Sequence, residues 1–319
     1  SLYDRRRMIK GGLGLLAGLS FWHPARAAFA QQAGGSVLDW LEENVFRDLS
    51  FSEGEQAQFG QALNEPVQKA TGGVYRNGEV QLAIRDFALP LFNSSFRRSL
   101  GWDIAVIDND LPMAWSLPGG KVGLFKGLLR YIETPDQLAA VIAHEIGHIE
   151  NGDLLAPMKR PAFLASLTPR QANSLYTLLS VKNSPGLSSP NAARILLPQV
   201  VDLVLKGYAM EAEYRADERS LSAFRQSGHD PAKGAEIWPV IASLTPEGTE
   251  KTTCLFAGHA AAQDRFERVE KAAQSTNQAL LAPANRGFEA LKTVFPTRHH
   301  YSPARPNSPA GPKDNRTTG

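Results

Sequence analysis

Thr134-Pro135-Asp136-Gln137-Leu138-Ala139-Ala140-Val141-Ile142-Ala143-His144-Glu145-Ile146-Gly147-His148-Ile149-Glu150-Asn151-Gly152 is the stretch on which the reading of this chain turns. It opens as a helix should: Thr134 is a capping residue, Pro135 stands at the first helical position, and Gln137 lies three residues after the cap. Leu138, Val141, Ile142, Ile146 and Ile149 then keep helical spacing until Asn151-Gly152 stops the run. Inside this helix, His144 and His148 stand four residues apart. They therefore share one face, about one turn apart, and both imidazoles can reach a single tetrahedral metal ion. Glu145 projects beside them and can take a proton from a water that such an ion activates. The competing reading is a surface helix with two solvated histidines. Ile146 and the small Gly147 argue against it, because they suit the flank of a packed helix.

A catalytic zinc needs a third protein ligand and an open fourth position. The best source is Glu213-Tyr214-Arg215-Ala216-Asp217, where Glu213 and Asp217 share a helical face. Glu213 would bind the metal, and Asp217 would accept the second ring N–H of a ligating histidine and so fix its tautomer. Spacing alone leaves a second possibility open. Glu211, Glu213, Asp217 and Glu218 with Arg215 and Arg219 could form a solvated, salt-bridged helix face.

Upstream of the motif, Met113 to Leu117 and Lys121 to Phe125 flank Pro118-Gly119-Gly120, the pattern of two strands joined by a tight turn. Asp103 to Ile107 and Val80 to Ile84 have strand character, and Asp108-Asn109-Asp110 reads as a turn. Val37 to Phe59 reads as an amphipathic helix with a Leu38, Leu41, Val45, Leu49 stripe, and Gln56 to Ala70 as a second. Downstream, helices are expected over Pro169–Val181, Pro198–Gln226 and Pro231–Leu244. The fold class that results is α+β and mainly helical, with a short β-hairpin next to the motif helix.

Composition narrows the function classes. The 319 residues are 43% hydrophobic, and 34 Lys plus Arg nearly balance 32 Asp plus Glu. No basic field argues for nucleic acid. The single cysteine, Cys254, can form neither an internal disulfide nor a Cys-rich zinc site, so any metal falls to His and carboxylate ligands. Arg5-Arg6-Arg7-Met8-Ile9-Lys10, an apolar run from Gly11 to Trp22, and Ala25-Arg26-Ala27 and Ala28-Phe29-Ala30 together have the three-part layout of an export signal over residues 1–30. Its paired arginines suit a twin-arginine route as well as the general one. The apolar run falls well short of the ~20 residues that span a bilayer. Residues 296–319 are Pro-rich with almost nothing apolar, the composition of a tail that does not order itself, and leave a body of 31–295. His23, His229, His299 and His300 read as incidental, and Trp40, Trp102 and Trp238 as core contacts.

Five ordered elements carry a family resemblance: Leu117-Pro118-Gly119-Gly120-Lys121, Gly127-Leu128-Leu129, Leu138 to His148, Glu213-x-x-Ala216-Asp217 and Gly228-x-Asp230-Pro231. Together they resemble the HtpX, BepA and type-1 CAAX protease family of zinc metallopeptidases, over roughly Trp102 to Arg268. The resemblance implies one Zn2+ per chain held by His144, His148 and Glu213, and a gluzincin-like core. It also implies roles for His259 and Arg265. The first is an occluding fourth ligand in a resting state. The second stabilises the developing oxyanion or pairs with a carboxylate. Here His259 is followed by Ala260 where the family usually has Pro, and Met113-Ala114-Trp115 replaces an Asn-Ala-Phe-like segment.

The expected function is therefore a zinc metalloendopeptidase of the periplasm, with Glu145 as general base, acting on unfolded or misassembled envelope proteins. Met113, Ala114, Trp115 and Ser116 on the hairpin edge would hold an extended substrate by main-chain pairing. Expected partners are protein or peptide substrates and, peripherally, membrane proteins. The competing expectation is a zinc-stabilised binding or assembly factor whose site is closed by a fourth protein ligand.

Overall fold

A computed structural model of the chain describes residues 35–244, 259–274 and 286–298. The expected export signal, Cys254, the tail histidines and most of the Pro-rich tail lie outside the described residues.

The chain begins with α1 (Gly35–Leu41), which runs into a π turn over Glu42–Phe46, and α2 (Glu53–Ala70). The single helix expected through Phe59 therefore ends at Phe46. Ser52 restarts the chain with a reciprocal cap: Glu55 N–H donates to its hydroxyl while the Glu55 carboxylate accepts from Ser52 N–H. A second correction concerns Val80 to Ile84, expected as a strand. They belong to α3 (Gly78–Asn93), opened by Asn77, whose side chain accepts from Glu79 and Val80 N–H. Val80, Ile84, Phe87 and Leu91 are all buried at helical spacing, so packing of that face overrides β-branched preference.

Three of the four expected strands form, as β1 (Asp103–Ile107), β2 (Ala114–Leu117) and β3 (Lys121–Phe125). Their order is β1-β3-β2, with β2 and β3 an antiparallel hairpin and β1 parallel to β3. The outer edge of β1 is closed by a side chain. Gln81 donates to Val106 C=O and accepts from Val106 N–H, as a neighbouring strand would, and Tyr75 N–H also reaches Val106 C=O. On β2, by contrast, no strand pairs with the outer edge among the described residues.

The sheet is buried on both faces. Ile104, Val106, Ala114, Val122 and Leu124 face one apolar core, and Ala105, Ile107, Trp115, Leu117 and Phe125 face the other. Met113, Ala114, Trp115 and Ser116 are consequently all buried, whereas the sequence suggested an accessible hairpin edge. Although no strand pairs with the outer edge of β2 among the described residues, its residues are covered whole, backbone included.

Helices make up the rest: α4 (Lys126–Leu129), α5 (Pro135–Asn151), α6 (Leu155–Met158), α7 (Pro161–Ala165), α8 (Pro169–Leu179), α9 (Pro190–Lys206), α10 (Met210–Gln226), α11 (Pro231–Ala235), α12 (Ile237–Ser243), α13 (His259–Gln274) and α14 (Arg286–Val294). The motif helix α5 starts at the Thr134 cap and ends at Gly152 in the left-handed conformation, as expected. The long helix expected over Pro198–Gln226 is instead two helices. Ser189-Pro190 supplies an earlier start, Pro198 is carried inside α9, and Gly207 breaks the chain at φ 71°. The helix expected over Pro231–Leu244 is likewise divided, between α11 and α12. Beyond α14, Phe295 is buried and Arg298 N–H donates to Arg130 C=O, so the first residues assigned to the tail lie against the fold.

One close approach governs the site. A Cβ added at Gly147 on α5 would lie 2.4 Å from Ala216 O on α10. The two helices thus meet backbone to backbone beside the motif, which a larger residue would prevent. Gly147→Ala is expected to destabilise the protein by about 1–3 kcal/mol despite alanine's better helix propensity. Gly54→Ala, where an added Cβ meets nothing within 4 Å, should cost nothing. Urea unfolding of the two variants checks this, and equal midpoints would refute it.

Candidate metal centre

The close contact of α5 and α10 brings the side chains expected from the sequence to one point. His144, His148 and Glu213 are each 1–3% exposed. His144 Nε2 lies 3.1 Å from Glu213 Oε2 and 3.0 Å from His148 Nε2, and His148 Nε2 lies 3.6 Å from Glu213 Oε1. Four ligands arranged tetrahedrally at 2.0–2.1 Å from zinc are about 3.3 Å apart, so this spacing suits that ion.

The outer ring nitrogens are engaged as well. His144 Nδ1 is 2.8 Å from Asp217 Oδ1, and His148 Nδ1 is 2.8 Å from Asp153 Oδ2. If each neutral ring donates through Nδ1 to its aspartate, both Nε2 lone pairs and the Glu213 carboxylate converge with no proton between them. Such a group of acceptors calls for a cation, and these three residues could hold a metal ion.

The electrostatics agree. Burial works against a charged His148, yet Glu213 and Asp153 outweigh it and push the imidazole up to about 10. Burial would raise the Glu213 carboxyl, but His148 and His144 hold it well below the usual range. Asp217 is held low against its burial by Arg265 and His144. These directions favour a protonated His148 wherever no metal is bound.

Of the remaining expected residues, Asp217 sits where the sequence placed it. Arg265 is buried and paired rather than free to meet substrate: its Nε and Nη2 fork onto Asp217 at 2.7 and 2.9 Å, and its Nη1 lies 3.4 Å from Glu213. The structural pairing is the alternative realised. Glu145 is buried, and its Oε1 has no hydrogen-bond partner among the described residues. His259 is the first residue of α13, and its side chain lies outside the described residues. The solvated-face reading of α10 fails for Glu213 and Asp217, which are buried. It survives in part for the arginines: Arg215 reaches Asp153 at 3.0 Å and Arg219 reaches Glu150 at 2.6 Å.

Four participants were not legible in advance. Asp153 follows the Gly152 cap, and that place in the sequence is the one signal of its return towards His148. Tyr208 packs its ring 4.4 Å from that of His148, and burial with the nearby Glu145, Asp153 and Glu213 raises its phenol well above the usual value. Trp238, expected merely as core, has its ring 5.2 Å from His144 and carries the Arg265 guanidinium at 4.1 Å. His229, read as incidental, is buried between Phe87 and Phe224 with Nδ1 3.0 Å from Asp136, in the first turn of α5.

The residues first define a class: a two-helix His/His/Glu centre with a carboxylate beside it, as metallopeptidases use. Comparison then supplies the family. The model of peptidase family M48 matches residues 75–273, and the chain belongs to that family of metallopeptidases. It is 30% identical over 129 residues to the beta-barrel assembly-enhancing protease of Escherichia coli K12, covering 40% of this chain and 25% of that protein. Similarity to the mitochondrial metalloendopeptidase OMA1 of Arabidopsis thaliana is 34% over 152 residues, covering 47% of this chain and 28% of the relative. Protease HtpX of Psychrobacter is 28% identical over 195 residues, covering 53% and 64% respectively. The chain thus spans about a quarter of the assembly-enhancing proteases it matches. No helix among the described residues is long and apolar enough to cross a membrane.

The proton account predicts a pH effect in metal-stripped protein. The folded value of His148, about 10, lies above its ordinary value of about 6.5. Its stabilising contribution is therefore complete below about pH 6.5 and is lost as pH rises through about 10. Urea midpoints in excess chelator should fall over that window more steeply for the wild type than for His148→Asn. Parallel slopes would refute the account.

Proposed function

We propose that this protein is a zinc-dependent endopeptidase of the cell envelope that hydrolyses unfolded or misassembled proteins. His144, His148 and Glu213 would hold the ion, and Asp217 would keep His144 in the tautomer that presents Nε2. Bound there, zinc supplies Lewis acidity, which makes water nucleophilic near neutral pH and polarises a scissile carbonyl.

The observation that carries the reading is Glu145. A carboxylate oxygen buried without a hydrogen-bond partner is costly, and a purely structural metal site has no use for it. Here Oε1 is left free at the residue next to a ligand, where it can take a proton from water and deliver it to the leaving amine. Arg265, buried against Asp217 and Glu213, steadies these carboxylates. No strand pairs with the outer edge of β2 among the described residues; an extended peptide taking that place by main-chain hydrogen bonds, after displacing what now covers the strand, would favour unfolded chains over a fixed sequence.

Zinc rather than another divalent ion, cleavage within a chain, and His259 as a removable fourth ligand all belong to this proposal. So does the division into an export signal over 1–30, a catalytic body over 31–295 and a tail over 296–319. Work in the envelope rests on that signal-like segment and on a relative whose name ties it to β-barrel assembly.

Zinc-loaded wild type is expected to digest casein, and Glu145→Gln at matched metal content to lose at least about 100-fold in rate. Equal cleavage by both would remove Glu145 from the mechanism. Zinc binding without cleavage by either would favour a binding or assembly factor instead.

A further inference from the structure

Each ring of the histidine pair is held from behind by an aspartate, and each aspartate by an arginine, but the two arms are built differently. On the His144 arm every member is buried: Asp217 takes the Arg265 fork, and Trp238 covers the guanidinium. On the His148 arm, Asp153 Oδ2 lies 2.8 Å from His148 Nδ1 and Oδ1 takes Arg215 Nη2 at 3.0 Å. The Asp153 side chain is 1% exposed and that of Arg215 is 57% exposed.

Asp153 reaches its place through local geometry. Gly152 turns left-handed at the end of α5, and the turn lets Asp153 N–H donate to His148 C=O at 3.1 Å. Gly152 N–H, Asp153 N–H and the Arg97 guanidinium serve the carbonyls of that helix end, so the cap makes no demand on the Asp153 carboxylate. Its two oxygens serve His148 and Arg215 instead.

We infer that Asp153, steadied by Arg215, is the positioning residue for His148, fixing Nδ1–H so that the Nε2 lone pair faces Glu213 and His144. The inference rests on the reading of this centre as a metal site. It assigns the two arms different sensitivities. The pair made by a half-exposed guanidinium is screened by salt, so the His148 arm weakens with ionic strength while the enclosed His144 arm does not.

The test is zinc affinity of the full-length chain, measured by competition with a chromophoric chelator. Asp153→Asn should bind about 10- to 100-fold more weakly than wild type, the range that loss of such a partner produces. Arg215→Ala should weaken binding less, by a factor that shrinks as salt is raised to about 1 M. Unchanged affinity in Asp153→Asn beside a wild type that binds zinc would overturn the inference and leave the metal site standing. A wild type that binds no zinc would remove the site and the inference with it. Should Asp153→Asn fail to fold, long-range proton–nitrogen NMR of zinc-loaded wild type decides. Protonated Nδ1 and metal-bound Nε2 on His148 support the inference, and the reverse arrangement overturns it.

Discussion

The structure is organised around buried negative charge. Glu145, Asp153, Glu213 and Asp217 are all at most 5% exposed; among the described residues Arg215 pairs with Asp153, Arg265 with Asp217 and Glu213, and the two histidines lie against Asp153, Glu213 and Asp217. Burying a carboxylate is expensive unless it is paired and hydrogen-bonded. With both histidines neutral, four carboxylates against two guanidiniums leave a deficit that one divalent cation balances. That balance explains why His144 and His148 gain protons so readily when no metal competes for their lone pairs. Metal binding and proton binding are alternative solutions to one electrostatic problem.

Holding that charge in place requires two helices at very short range. Gly147 lets α10 approach α5 until Ala216 fills the space a side chain would need. The contact is then fastened at several points along α5. Near its N-terminus, Asp136 accepts from His229 and from Asp230 N–H, at the junction of α10 and α11. Near its C-terminus, buried Glu150 accepts from Arg219 on α10, and from Ser95 and Phe96 in the loop after α3. These bonds lie outside the ligand set, yet they keep the two ligand-bearing helices in register. Precision at the ligands is thus a property of the whole helix pair.

The sheet contributes in a different way. Both faces are buried, and the outer edge of β1 is closed by Gln81 and Tyr75. Among the described residues this leaves β2, which packs beside α5, as the strand with an unpaired outer edge. Ala114, Trp115, Ser116 and Leu117 are each at most 3% exposed, so this strand serves first to seat the motif helix.

Local chemistry by itself determined the motif helix, its Thr134 cap and Gly152 stop, the hairpin over Met113–Phe125, and the shared face of His144 and His148, which with Glu213 could hold a metal. These depend on spacing and on residues that act within a few positions of themselves, so one-dimensional patterns carry them. Glu213 and Asp217 were half legible: their spacing marked a shared helical face, but spacing cannot tell a buried acidic face from a solvated one. Only packing against α5 settled that. The helix over Gly78–Asn93, the break at Gly207 and the pairing of Arg265 with Asp217 were likewise decided by tertiary contact. The same holds for Asp153, Tyr208, Trp238 and His229. Each owes its role to a partner distant in sequence or to a turn of the backbone, and neither leaves a periodic trace along the chain.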